Sequence, residues 1–354
     1  MNERRLYADF HVIQTLPPSN VNRDDTGSPK TAVYGGARRA RVSSQSWKRA
    51  MRKYFSENSS LEVGVRTLNV GDYVAGIIQQ KDASKSPEEA LKLADQVLNN
   101  ANVKSKDGKV KALFFLGKQQ AEQLAEEALN GSGDKNKVKE ILKSNPAVDI
   151  ALFGRMVADD PSLNEDASAQ VAHAISTHAV QTEFDFYTAV DDLAPEDNAG
   201  AGMLGTVEYN SSTLYRYANV AIHEFSSQMN DDKDAVIKAL KLFAESFVNS
   251  MPTGKINTFA NQTVPQFIMI NIREDRPVNL VSAFEKPVRS SKGYVEASIE
   301  RLCEELDKAE KIVHPALDTI YLPLDGVSRE TLGTAENDFT SLMDDFEAKL
   351  SELL

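Results

Sequence analysis

Gly35-Gly36-Ala37-Arg38-Arg39-Ala40-Arg41-Val42-Ser43-Ser44-Gln45-Ser46-Trp47-Lys48-Arg49-Ala50-Met51-Arg52-Lys53-Tyr54-Phe55 is the stretch around which the rest of the chain is read. Between Arg38 and Lys53 it carries seven cations (Arg38, Arg39, Arg41, Lys48, Arg49, Arg52, Lys53) and no acid, although the chain's formal charge is -12. Without those seven, 33 basic residues face 52 acidic ones and the remainder stands at -19. From Ser43 onward the spacing predicts an amphipathic helix with Ser43 or Ser44 as N-cap. At about 100° per residue, Trp47, Ala50, Met51 and Tyr54 share one face, while Lys48, Arg49, Arg52 and Lys53 fan over the other. The Gly35-Gly36 pair permits unusual backbone angles and the close approach of a ligand, and Arg38, Arg39 and Arg41 lie on an extended approach to the helix. Ser43, Ser44, Gln45 and Ser46 add short donors at a helix N-terminus, where free N–H groups and the helix dipole favour phosphate. A solvated surface helix would account for the cations alone, but it has no need of the arginine triplet and the serines.

The chain has 354 residues, 41% of them hydrophobic, which is ample for a large core; by length alone two domains are expected. One cysteine, Cys303, excludes an internal disulfide and suits a reducing compartment. The N-terminal residues lack an apolar signal core, and no run approaches the roughly 18 apolar residues of a membrane span. The expectation is a soluble, cytoplasmic protein without a membrane partner. Its acidity argues against indiscriminate nucleic-acid binding and for a defined basic track on a repelling body.

In chain order, residues 7–16 read as a strand with Phe10, Val12 and Leu16 alternating, closed by Pro17-Pro18. Residues 19–33 are a long polar segment holding Asn22-Arg23-Asp24, and a connection of that length is usually functional or mobile. Residues 61–145 read as a helical insertion without a strong strand; its lysines at 135, 137, 139 and 143 are either nucleic-acid contacts or solvated faces. Residues 148–157 turn to a strand pattern, with Gly154 marking a bulge or close approach. Residues 170–190 and the return through Val207, Tyr209, Leu214, Tyr215, Tyr217 and Val220 form a long hairpin around the Gly- and Ala-rich tip 198–205. Met203 and Leu204 at that tip have no core of their own, so they either pack on another subunit or wedge between bases. The C-terminal part gives a helix at 232–250, a loop in which Gly254-Lys255 and Asn257 offer a phosphate contact or a plain turn, a strand at 267–272, a helix at 293–313 and an acidic helical tail after Asp338.

Catalytic chemistry is thin. There is no Walker-type loop, GxGxxG, CxxC or HExxH. His173 and His178, five apart in a strand pattern, point to opposite faces and make a poor metal pair. His11 is a lone candidate general base. Asp24-Asp25 and Asp191-Asp192 show none of the convergence a two-metal nuclease needs. No catalytic residue, metal or cofactor is expected.

Asn22-Arg23-Asp24, the block from Gly35 to Arg52, Phe153-Gly154-Arg155-Met156, Ala172-His173-Ala174-Ile175 and Tyr215-Arg216-Tyr217-Ala218-Asn219 together resemble the CasC family, the backbone subunit of the type I-E CRISPR Cascade surveillance complex. The resemblance runs from near the first residue to beyond Asn257, and the long N-terminal block is its most specific part. It implies an α+β fold with an RRM-like (ferredoxin-like) palm over residues 1–58, 146–179 and 219–354. A helical fingers insertion would span 59–145 and a β-hairpin thumb 180–218. Copies would stack into a filament along one CRISPR RNA (crRNA), each thumb reaching across its neighbour's palm, in a ribonucleoprotein of antiviral defence. The implied partners are the CRISPR RNA, target DNA, other copies of the chain and other Cascade subunits; no enzymatic activity is implied. Arg23, Arg39, Arg41, Ser43, Gln45, Lys48 and Arg49 would hold the guide backbone. The charge pattern adds Arg38, Arg52, Lys53 and Lys255 as RNA contacts and Lys135, Lys137 and Lys139 as DNA contacts. Met156 and Met203 or Leu204 would sit beside a displaced guide base. Two rival classes stand beside this: a CRISPR repeat RNA-processing endoribonuclease of related fold using His11 or His173, and an RNA-free structural oligomer in which the basic helix meets an acidic patch.

Overall fold

In the computed structural model, which describes residues 4–131, 133–157, 159–190, 193, 200–324 and 331–354, one large sheet carries helices on both faces. Strand β1 (Tyr7–Ser19) is followed by a hairpin of β2 (Thr31–Tyr34) and β3 (Ala37–Val42) and by helix α1 (Ser44–Asn58). An insertion gives β4 (Val65–Thr67), α2 (Val70–Lys81), α3 (Pro87–Asn100), β5 (Ser105–Lys106), β6 (Lys109–Val110), β7 (Phe114–Leu116), α4 (Lys118–Asn130) and α5 (Lys135–Lys143). Helix α6 (Val148–Phe153) leads to β8 (Ala169–Val171), β9 (Ala174–Ser176), β10 (Glu183–Val190) and the long β11 (Gly200–Ala221). Then come α7 (Ile222–Gln228), α8 (Lys233–Asn249), α9 (Ile256–Phe259), β12 (Phe267–Arg273), α10 (Val295–Ala309), β13 (Asp318–Pro323), β14 (Thr334–Ala335) and α11 (Phe339–Leu353).

The main path of the sheet runs β14-β13-β12-β1-β11-β9-β3-β2, with β8 and β10 also paired to β11. From β12 through β1 and β11 to β9 every neighbour is antiparallel. Strand β1 is buried on both sides. Phe10, Val12 and Leu16 join Trp47, Met51 and Phe55 of α1, Phe243 and Phe247 of α8 and Phe346 of α11 in the larger core. The opposite parity places Ile13 with Tyr215, Tyr217, Met269, Leu302 and Leu306 under α10. The polar residues Asp9 and His11 are buried as well, because α10 roofs that face.

Three expectations are corrected. Pro17-Pro18 does not close β1: the strand runs on to Ser19, and the prolines lie where its register on β11 slips between Leu16 and Ser19. Residues 148–153 form a helix, ended by Gly154 at φ +78° where a Cβ would lie 2.9 Å from the Glu165 carbonyl. A short apolar run has no periodicity to tell helix from strand. Residues 170–190 are three strands, of which β8 and β9 pair with the C-terminal half of β11 while β10 pairs with its N-terminal half as a two-stranded ribbon. The insertion also contains the short pairs β4–β7 and β5–β6 beside its helices, around a hydrophobic cluster that includes Val74, Ile78, Leu98, Leu124 and Leu142.

Candidate nucleic-acid interface

The β2–β3 hairpin turns on Gly35 and Gly36 at φ +57° and +72°, the backbone a two-residue turn of primed type requires. Gly35 accommodates the protein's own backbone, since a Cβ there would lie 1.6 Å from the Glu285 carbonyl oxygen; at Gly36 the space is open. Strand parity then sorts the arginines. Arg38 is exposed. Arg39 is fully buried, its guanidinium donating to the carbonyls of Ser176 (2.9 Å), Phe284 (2.7 Å) and Glu285 (3.2 Å). Arg39 therefore braces the fold: the expectation that it holds a guide meets a guanidinium already committed to three carbonyls in the interior. Arg41 is half-buried, with Nε 3.3 Å from the Thr31 carbonyl and Nη1 3.2 Å from His173 Nδ1. Partial burial and the adjacent Arg41 and Lys30 cations lower the His173 pKa, keeping the ring neutral.

Helix α1 begins at Ser44 with Ser43 at the N-cap; no side chain caps it and no acid stands in its first turn. The Ser43 N–H donates to Asn22 Oδ1 at 2.8 Å, tying the helix start to the loop that carries exposed Arg23. Of the predicted inner face Trp47 and Met51 are buried, joined by Phe55, while Ala50 and Tyr54 are half-buried at its edge. Trp47 lies under the guanidinium of Arg216, 3.8 Å from the ring centroid. Arg216 is itself buried, donates to Gln14 and to the Phe247 carbonyl, and has its pKa pushed down to about 9 by burial, so it fixes α1 against β1 and α8 while still charged. On the outer face Gln45, Arg49 and Lys53 form an exposed stripe at i, i+4, i+8, Lys53 lying 3.6 Å from Glu57. Lys48 is half-buried with its ammonium 5.5 Å over the Phe153 ring, and burial lowers its pKa. Arg52 is the second correction: its Nε donates to buried Asp149 at 2.8 Å, Nη2 to the Gly64 carbonyl at 3.0 Å, and it lies over Phe115, joining α1 to the insertion. Exposed Lys255 sits at φ +50° beside Gly254, whose backbone packs against Val21 next to the Arg23 loop.

Among the proposed DNA contacts, Lys135 is exposed, but Lys137 is paired with buried Glu127 and Lys139 with Asp160 at 2.6 Å. Bonds from Lys139, Ser162 and Asn102 hold the Asp160 carboxyl well below its usual range. Met156 is 82% exposed and Leu204 69% exposed. Met203 lies in β11, its side chain outside the described residues. Asp191 and Asp192 also lie outside them. Sequence reasoning passed over Phe184 and Phe186, 64% and 65% exposed on β10. Their register opposite Glu208 and Thr206, with Leu204 opposite Thr188, puts the two rings and Leu204 on one face of the ribbon. The signal was present in Glu-Phe-Asp-Phe, an alternation without a core to receive it.

The histidines are sorted by burial. His11 is buried against Tyr215 (Nδ1 to Oη 2.9 Å), and burial drives its pKa down to about 3, so it is neutral and out of reach of RNA. His178 accepts the Thr213 N–H at Nε2 (3.0 Å), donates from Nδ1 to the Ala179 carbonyl (2.9 Å) and stacks on Tyr294. Only His173 of these three is exposed. Among the described residues no group of three His, Cys, Asp or Glu is placed to hold a metal ion, and no helix is long and apolar enough to cross a membrane.

A family model described as CT1975-like protein matches residues 8–344. A chain of a CRISPR RNA-guided surveillance complex in pre-nicking form is similar at 31% identity, covering 97% of this chain and 100% of that one with a TM-score of 0.85. A chain of another CRISPR RNA-guided surveillance complex is similar at 27% identity, covering 97% and 99% with a TM-score of 0.74. Comparison with curated proteins gives no match.

Proposed function

Because the chain belongs to the CT1975-like protein family, we propose that it is a non-catalytic backbone subunit of a CRISPR RNA-guided surveillance complex, of the CasC kind in type I-E Cascade. The observation that carries this reading is the exposed track of Arg23, Arg38 and Arg49, with half-buried Arg41 and Ser44 and exposed Gln45 between them and Ser43 buried beneath, on a chain of charge -12. Such a track contacts backbone rather than base edges, so any guide sequence is accepted. Target choice is then left to base pairing, the division of labour also used by the unrelated Cas9-type effectors.

The strand order β12-β1-β11-β9, with α1 and α8 crossing over the same face, supports an RRM-like palm. Its opposite face lies under α10, so the guide would follow the β2–β3–α1 edge instead of the sheet. Residues 59–145 would be the fingers and 180–218 the thumb. The exposed Phe184, Phe186 and Leu204 face and Met156 would flank a displaced guide base, dividing the guide into short ordered segments and lowering the entropy cost of pairing with target DNA. Several copies would follow one guide and, with other Cascade subunits, form a cytoplasmic ribonucleoprotein of antiviral defence.

Nuclease footprinting on a long single-stranded RNA, read beside particle mass, tests this. Evenly spaced accessible nucleotides and mass growing with RNA length are expected; no protection at any salt contradicts it. The endoribonuclease reading loses His11 to burial and keeps exposed His173 beside Arg41. Cleavage of a labelled repeat RNA that disappears in His173→Ala would favour it.

A further inference from the structure

Where Pro17-Pro18 breaks the β1–β11 ladder, two residues of β11 are left on either side of the slip: Ser212 opposite Leu16 and Asn210 opposite Ser19. Both are buried, and among the described residues Asn210 Nδ2 and Ser212 Oγ have no hydrogen-bond partner. They line a notch of about 20 Å³ that is walled by Leu16, Val21, Ala40 and Val42 and rimmed by Lys30, Arg41 and Asn22. That volume admits a group the size of one water oxygen and nothing larger. The Asn22 carboxamide on its rim is the one that receives the Ser43 N–H at the start of α1. The notch therefore opens within the basic track, beside cations suited to phosphate.

We propose that this notch takes the 2′-hydroxyl of a guide ribose and lets the protein prefer RNA over DNA. The inference rests on the guide-binding reading and adds to it the identity of the sugar. A 2′-hydroxyl both donates and accepts, which answers an unpaired amide donor and an unpaired serine hydroxyl. It also neighbours the 3′-phosphate of its own ribose, so a phosphate held by Lys30 and Arg41 brings a hydroxyl to the opening. Deoxyribose would leave both buried groups unpartnered, and a 2′-O-methyl group is too large for the space.

The test compares wild-type protein on a single-stranded RNA, the same sequence as 2′-deoxy strand, and the same RNA carrying 2′-O-methyl groups, then repeats it with Ser212→Ala and Asn210→Ala. The expected result is that RNA binds about tenfold more tightly per copy than either modified strand, and that the preference shrinks in the variants while deoxy-strand affinity is unchanged. The modified strands test the notch in unaltered protein, so a variant that fails to fold does not rescue the idea. Equal binding of RNA and deoxy strand by wild-type protein, or a preference that survives in folded forms of both variants, overturns it. Wild-type protein that binds none of the strands contradicts guide binding itself, and the notch with it.

Discussion

Lysines and arginines crowd two parts of this molecule, the β3–α1 stretch and helix α5, and the structure treats them oppositely. On α5 the lysines that sequence singles out are largely spoken for, Lys137 by Glu127 and Lys139 by Asp160. On β3–α1 the fold uses Arg39 and Arg52, turned inward, and Arg41 and Lys53 have His173 and Glu57 beside them, while among the described residues exposed Arg38 and Arg49 make no ion pair. The difference lies in the local supply of acids: α5 packs near Glu127 and Asp160, whereas the residues between Arg38 and Lys53 include none. A count of cations thus does not locate a nucleic-acid interface. What matters is the count of exposed cations left over after the fold has used the others.

The sharpest way to break that comparison is Arg52→Met, which strips the guanidinium from buried Asp149 and should lower stability by about 3–5 kcal/mol near neutral pH. Burial already raises the Asp149 pKa, so its contribution is fully present below the unfolded carboxylate range and is lost as pH rises through the folded value. Without Arg52 that folded value rises further. Urea unfolding should show the deficit widest at neutral pH and narrowing in acid, and a pH-independent deficit would contradict this pairing. Next in size, Arg39→Met orphans three carbonyls and should lower stability by about 2–3 kcal/mol. The folded variant should keep wild-type RNA affinity in filter binding, and a loss of affinity without a loss of stability would return Arg39 to the interface. Arg38→Ala with Arg49→Ala should do the reverse, weakening RNA binding by about tenfold or more at low salt with stability within about 0.5 kcal/mol of wild type. On RNA affinity the smallest effect is expected of Lys137→Ala with Lys139→Ala, which should leave it unchanged while lowering the melting midpoint, because buried Glu127 and Asp160 each lose an ammonium partner; lost RNA affinity in the folded variant would erase the contrast between the two regions.

Much of this was legible in the sequence because periodicity is local. The inner face of α1, the alternation of Phe10, Val12 and Leu16, and the helices ending the chain follow from side-chain spacing alone. The fate of Arg39 was not, since its carbonyl partners lie 137 to 246 residues away on β9 and the segment before α10. Nor was Gly35, whose space is filled by the equally distant Glu285 backbone. The roof over Asp9 and His11 was hidden for the same reason: polar residues on a strand read as solvent-facing until the helix that covers them is placed. Phe184 and Phe186 were in plain view, but an alternation between two acids reads as an ordinary half-buried strand. Strand β13, next to the edge strand β14, carries Ile320-Tyr321-Leu322, an unbroken apolar run without the alternation that marks a strand.

The most direct test of the central claim is the salt dependence of single-stranded RNA affinity in wild-type protein and in Arg38→Ala with Arg49→Ala. If Arg23, Arg38, Arg41 and Arg49 engage phosphate, the slope of log affinity against log salt should be about -3 per copy and fall to about -1.4 in the double variant, at about -0.7 per phosphate. The account predicts that drop together with an unshifted melting curve. An unchanged slope in a folded double variant would place the guide elsewhere on the molecule.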